Sequence, residues 1–203
     1  MVDITGFLTM GHVLTAHITG NLVLMAADVA REGTPRLTQV AIVPVFMLAV
    51  AAAWGVARIA STNRVSAMRA LLWIQFLLLL AVFVFCSMRQ ALGGSVEAGA
   101  LIAVGAMGCQ FALLRITLPG SPSTAAMTGN VTDAVLSFLE LLSRDPPAKP
   151  IPRDRLHRSA QVLAGFVGGC VIAALAVKLL GDFAWGLPAA VAAITLSLRQ
   201  QHG

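Results

Sequence analysis

Charge is what this chain has least of. Only 11% of its 203 residues are Asp, Glu, Lys or Arg, against about 25% in an ordinary soluble domain. A water-soluble globule built from it has too little polar material for its surface. Cysteine is scarce as well. Cys86, Cys109 and Cys170 lie inside apolar stretches at no metal-ligand or redox spacing, so they read as small buried hydrophobes. No serine sits in a nucleophile elbow, no glycine-rich loop ends in a phosphate-holding lysine, and no paired acids share a polar setting. The familiar catalytic constellations are therefore missing, and neither an enzyme nor a cofactor is expected. No basic region precedes the first apolar stretch and no cleavage pattern follows it, so a removable signal peptide is not expected. Net charge is +5 and the pI is near 10.1, but no basic stripe interleaved with aromatics points to nucleic acid. The cations lie mainly between apolar segments, where a positive-inside bias would put them.

What the chain has instead is apolar length. Hydrophobic residues make up 58% of it and the mean hydropathy is +0.84. Four segments read as membrane helices: Val40 to Ala60, Ala70 to Met88, Glu97 to Leu118 and Ala160 to Leu180. A fifth, Phe183 to Leu198, is shorter and holds Pro188. About 20 residues at 1.5 Å each cross a hydrocarbon core near 30 Å, so each of the four is long enough. Trp54, Trp73 and Trp185 fall near segment ends, as interfacial anchors do. The expected class is an all-α, polytopic membrane helix bundle whose principal partner is the lipid bilayer.

Two further segments are unlike these. The triplet Thr19-Gly20-Asn21 returns as Thr128-Gly129-Asn130, 109 positions later, each inside an apolar stretch. Ile18 to Ala30 is short and follows a Gly- and Thr-containing lead from Asp3 to Ala16. Ser123 to Leu142 is long enough to cross but carries Thr128, Asn130, Thr132, Asp133 and Glu140. Polar groups beside a helix breaker are costly in lipid unless they are enclosed. Each segment is therefore expected to be a broken span or a re-entrant half-helix. The chain then reads as one membrane domain over 1–203, with two tandem repeats of about 1–90 and 97–199. The lead answers Glu97 to Leu118, and the triplet segments answer each other. Val40 to Ala60 answers Ala160 to Leu180, and Ala70 to Met88 answers Phe183 to Leu198.

At each break, Gly20 or Gly129 can end one helical piece and begin another, leaving free N–H groups and a positive dipole end. Thr19 or Thr128 can cap the new helix. Two such ends, with Asn21 and Asn130, can hold an anion, carboxylate or polar solute without a buried counter-charge. The plainer alternative is that Thr and Asn bond across helices while Gly lets backbones approach. Gln110 and Arg115 are candidate helpers, although Arg115 lies close enough to its segment end to snorkel. His17 and Asp133 are candidate proton carriers, since histidine titrates near neutrality and an acid within a span demands a partner such as Arg115. His12 and His17 are five apart and share no helical face, so a metal site is not expected. Gly165 and Gly169 form a GxxxG pair for close helix contact, inside the bundle or between subunits of a homo-oligomer, and Gly105 and Gly108 read as packing too.

Charge counting leaves the topology open. If each triplet segment crosses fully, nine cations face five. If lead and triplet segment make one crossing together, nine face four, with Arg115 internal. The first scheme implies parallel repeats and the second inverted repeats. Both place the basic loop from Arg144 to Arg158 in the cytoplasm.

The residues Val2-Asp3, Gly6-Phe7-Leu8, Gly11 and Ala16 to Val23 resemble the YoaK-like family of bacterial membrane proteins. So do Met107-Gly108-Cys109-Gln110, Arg115, Pro119, Thr124 and Met127 to Asn130. The resemblance covers nearly the whole chain. It implies a multi-pass protein of the bacterial cytoplasmic (inner) membrane, from a family whose function is unknown. It also implies a longer apolar lead ahead of Asp3. Two functions fit these observations: a small transporter of a polar or anionic solute held between the two breaks, or a non-transporting scaffold or accessory subunit that binds partners through its glycine faces.

Overall fold

The computed structural model describes residues 1–34, 36–62, 66–92, 94–118, 127–142 and 153–201. Among them are eight α-helices and one 3-10 turn, and no strand. The helices are α1 (Val2–Thr9), α2 (Ile18–Glu32), α3 (Leu37–Thr62), α4 (Ala67–Leu92), α5 (Val96–Thr117), α6 (Met127–Leu142), α7 (Arg153–Leu180) and α8 (Gly186–Gln201). The turn is Gly181–Trp185, between α7 and α8. The chain forms two compact units, one of Met1–Pro119 with Ile172–Gly203, the other of Gly120–Val171.

Four stretches are long and apolar enough to cross a membrane: Leu37–Thr62, Ala67–Arg89, Val96–Thr117 and Leu156–Leu198. This is the build of a membrane protein. The fourth stretch contains α7, the turn and α8, so the fifth expected segment is a separate helix that begins at Gly186. Pro188 is the third residue of α8, where no intrahelical N–H bond is lost. The amphipathic start Arg153 to Ser159 extends α7 ahead of the apolar run that marks it in the sequence.

Local chemistry sets several boundaries. Gly33 ends α2 in the left-handed region at φ 81° and donates its N–H to Val29 O over 3.0 Å, a conformation that costs glycine little. Ser95 caps α5 by accepting from Ala98 N at 3.3 Å, with Glu97 in the first turn. Gly181, at φ 56°, turns the chain out of α7.

In the first unit α5 is the central helix, buried along most of Gly99 to Leu113. Three apolar layers stack along it. Met10, Val13, Ile42, Val82, Cys86, Ala100 and Trp185 share one layer. Leu79, Ala106, Ala189 and Ala192 share a second. Ala53, Ala57, Leu71, Leu72, Cys109, Ala112, Leu113 and Leu196 share the third. The sequence numbers in these layers give the helix directions. From the Arg89 end to the Arg58 end run α3, α5 and α8, while α4 runs the opposite way. The last turns of α7 run toward the Arg89 end, where Asp182 accepts from Arg89 Nη2 at 2.9 Å. At the crossing of α3 and α5, a Cβ on Gly108 would lie 2.9 Å from Ala49 Cβ and 3.2 Å from Phe46 O. Gly108 is thus the packing glycine the sequence suggested. Around Gly105 there is nothing within 4 Å of such a Cβ.

Candidate functional site

The first Thr-Gly-Asn triplet adjoins an interruption in the helical backbone. α1 stops at Thr9, and Met10 to His17 are not helical. Val2 packs against both the Trp185 layer and the layer of Leu79 and Ala106, whereas Met10 lies in the Trp185 layer and Thr9 bonds Trp185, so α1 ends toward the Arg89 end. The chain then doubles back along α1. A Cβ on Gly6 would meet Thr15 Cγ2 at 2.8 Å and Val13 O at 3.3 Å, an approach that only glycine leaves open. α2 next returns toward the start of α3, where Gln39 Nε2 donates to Asp28 Oδ2 at 2.6 Å.

The irregular stretch must find hydrogen bonds elsewhere, because unpaired backbone groups in an apolar setting cost several kcal/mol each. Two side chains supply them, Asn21 buried and Asp3 half-buried. Asn21, 3% exposed, brackets Leu14: its Nδ2 donates to Leu14 O and its Oδ1 accepts from Leu14 N at 2.9 Å. Asp3 grips the next three residues. Its Oδ1 accepts from Thr15 Oγ1 at 3.3 Å and Ala16 N at 2.5 Å, and its Oδ2 is hydrogen-bonded with His17 Nδ1. Met10 N donates to Gly6 O and His12 N to Phe7 O, so alternate N–H groups from residue 10 to residue 16 all have acceptors. Thr5 and Thr15 are fully buried beside them, and the buried Trp185 Nε1 donates to Thr9 Oγ1 at 3.1 Å.

This geometry corrects three expectations. The interruption is not at Gly20 but ahead of it, since Thr19, Gly20 and Asn21 lie in the first turn of α2. Thr19 is exposed and does not cap; the N-cap is His17, with no side-chain capping bond. Gly20 instead makes room for the Leu14 side chain, whose Cδ1 would lie within 2.8 Å of its Cβ. Nor is the start of α2 left waiting for an outside anion, for the Asp3 carboxylate already sits there. Asp3 is the residue that the sequence underrated. Its signal was slight: the first acid of the chain, fourteen positions before a histidine.

The second triplet opens a helix in the same way. Met127 begins α6 as Ile18 begins α2, and Asn130 is buried at 6% exposure while Thr128 and Gly129 are exposed. Asn130 Nδ2 donates to Met127 Sδ over 3.9 Å. Nothing lies within 4 Å of a Cβ built on Gly129. Residues 119–126, which precede this helix and hold Pro119 and Thr124, lie outside the described residues, as do residues 143–152 of the basic loop. Asp133 is half-buried in α6 and Glu140 is exposed.

The other candidates are placed separately. Gln110 of α5 accepts from Gln75 Nε2 of α4 at 3.1 Å, a polar bridge between neighbouring helices. Arg115 is exposed in the last turn of α5, where a cation meets the negative end of the helix and can reach headgroups. His12 is exposed at φ 65° with its ring edge-on to Phe7 at 4.9 Å. Among the described residues no group of three His, Cys, Asp or Glu is placed to hold a metal.

No curated protein and no solved structure matches the chain. One family model, described as "Protein of unknown function (DUF1275)", matches residues 1–198, in keeping with the YoaK-like resemblance, and the chain belongs to that family.

Proposed function

We propose that this protein is a small carrier of a polar solute in the bacterial cytoplasmic membrane, built from two inverted repeats. The observation that carries this is the knot of Asp3, His17 and Asn21 on an unwound backbone. So apolar a chain gains little in stability from a half-buried carboxylate and an interrupted helix, and transporters place such interruptions at their solute sites. Residues 10 to 32 act as a re-entrant segment that rises and returns without crossing. The repeat relation rests on direction. Within the first unit α1 opposes α5, α4 opposes α8, and α3 opposes the last turns of α7, as inversion requires.

The solute class narrows at this knot. A carboxylate at the start of α2 repels an anion there and favours a neutral or cationic polar solute. Asp3 and His17, already sharing a hydrogen bond, are the proton-exchanging pair, and Asn21 is the residue whose amide trades Leu14 for solute. Asn130 plays the same part in the second repeat. The test is uptake into proteoliposomes under an imposed pH gradient, with a panel of labelled polyols, amino acids and amines. Flux by the natural protein that is lost in Asp3→Asn and Asn21→Ala is the expected result. No flux for any member of the panel removes the proposal.

One observation favours a second reading, a scaffold. Gly165 of α7 is exposed and Gly168 half-buried, with nothing within 4 Å of a Cβ built on either, which leaves room for a helix of another subunit. A partner that co-purifies in fixed ratio and is lost on Gly165→Leu would support it.

A further inference from the structure

We infer that the Arg58 end of the first unit holds the headgroup of an anionic phospholipid, with Arg58 and Trp54 of α3 as its contact. The two ends of this unit are charged very differently. Toward the Arg89 end lie Arg31, Arg36, Arg89 and Lys178 together with Asp28, Glu97 and Asp182, with Arg89 and Asp182 in direct contact. Toward the other end lie Arg58 near the close of α3, Arg69 in the first turn of α4 and Arg115 in the last turn of α5. Among the described residues no Asp or Glu stands with them.

The position of Arg58 is the specific part. Helical side chains lean toward the N-terminus, so this guanidinium leans back from the helix end toward the apolar span. It is exposed and lies over the Trp54 ring, 5.1 Å from the centroid, and Trp54 is itself 55% exposed. α3, at 26 residues, is about 38 Å long and overreaches a hydrocarbon core of about 30 Å, which puts Arg58 at the boundary. A cation held at that depth is costly unless something offsets it. The ring face offsets part of the charge, and a lipid phosphate at the same height offsets the rest. Arg69 adds to the attraction. It occupies the first turn of α4, which has no acid of its own, so its cation and the positive start of that helix lie at the same end as Arg58. Indole beside guanidinium at the boundary, on a face that no acid screens, fits an anionic glycerophospholipid.

Tryptophan fluorescence tests this directly, because Trp54 is exposed and Trp185 is fully buried. Trp73→Phe removes the other exposed indole and keeps a ring beside Phe76. The full chain is reconstituted in phosphatidylcholine vesicles with increasing phosphatidylglycerol that carries brominated acyl chains. Brominated phosphatidylcholine serves as the reference quencher. The anionic quencher is expected to act at several-fold lower mole fraction. Arg58→Gln should reduce that enrichment about five-fold, the equivalent of ~1 kcal/mol per basic residue at an anionic surface, and Arg58→Lys should restore part of it. Equal quenching by both lipids overturns the proposal, and so does enrichment unchanged in Arg58→Gln. Loss of the enrichment on adding inorganic phosphate to the buffer also overturns it, since the ligand would then be a soluble anion.

Discussion

Replacing Asn21 with alanine should loosen the first unit, and the size of the effect follows from its two bonds. The amide of Asn21 satisfies both backbone groups of Leu14, so Asn21→Ala strands a donor and an acceptor at once. A buried polar group left unpaired costs about 1–3 kcal/mol. Leu14 is only half-buried, which places the pair near the lower end, at roughly 2–4 kcal/mol. For a chain of this size each kcal/mol moves the melting temperature by about 2–4 °C, so a fall of roughly 5–15 °C is expected. Cys86 and Cys109 are free and buried, and their reaction with a fluorogenic thiol dye reports unfolding in detergent. The control is Thr19→Ala, two positions away and exposed, where the change should stay within about 0.5 kcal/mol. Equal melting temperatures for the two variants would refute the assignment of Asn21 as the clamp of the interrupted segment.

Three further outcomes follow from the same packing. Gln75→Leu and Gln110→Leu, singly and together, should show a coupling near 0.6 kcal/mol by double-mutant cycle, the usual worth of a hydrogen bond between membrane helices. Gly108→Leu should destabilise by more than about 3 kcal/mol, since the side chain would press on Ala49 Cβ and the carbonyl of Phe46; dye-monitored melting reads this, and a neutral Gly105→Ala completes the comparison. Trp185→Phe keeps a buried ring but removes the indole donor to Thr9 Oγ1, which still donates to Thr5 O, so a loss of about 1 kcal/mol, the worth of one hydrogen bond, is expected by the same measurement.

The long helices were legible because composition and length alone decide them. Leu37–Thr62 and Ala67–Leu92 overreach the sequence estimate by a few residues at each end, since helix continues past the last apolar residue until a turn signal intervenes. The site was legible only in part. Buried asparagine at both triplets was foreseeable, because an amide within an apolar run has to be enclosed. The role of Asn21 was not, as its partner is the backbone of Leu14, and backbone leaves no mark in a sequence. Gly20 likewise looked like a breaker, when its missing side chain leaves room for that of Leu14. Asp3 illustrates the general difficulty. An acid near a chain start reads as interfacial until the fold brings residues 15 to 17 back across it.

Charge counting by itself cannot choose between parallel and inverted repeats, because nine cations fall on one side either way. Helix directions within the first unit are what the proposed inversion rests on. α3 and α5 both end at the cationic end of the first unit, and Gly181 turns the chain from α7 into α8 at the charge-balanced end. A parallel arrangement would require α1 and α5 to run the same way. Met10 lies beside Gly99 and Thr9 beside Trp185, so α1 ends where α5 begins. The residue 109 positions after Asp3 is Ala112, so the second triplet has no acid at the matching sequence position. Removing the acid is therefore a sharp test. If the knot is a proton site and not a local brace, Asp3→Asn should abolish pH-driven flux while changing stability by no more than about 1 kcal/mol, or about 2–4 °C in melting temperature, since the amide keeps an acceptor for Ala16 N. A large loss of stability with flux per folded molecule intact would make Asp3 a structural residue only.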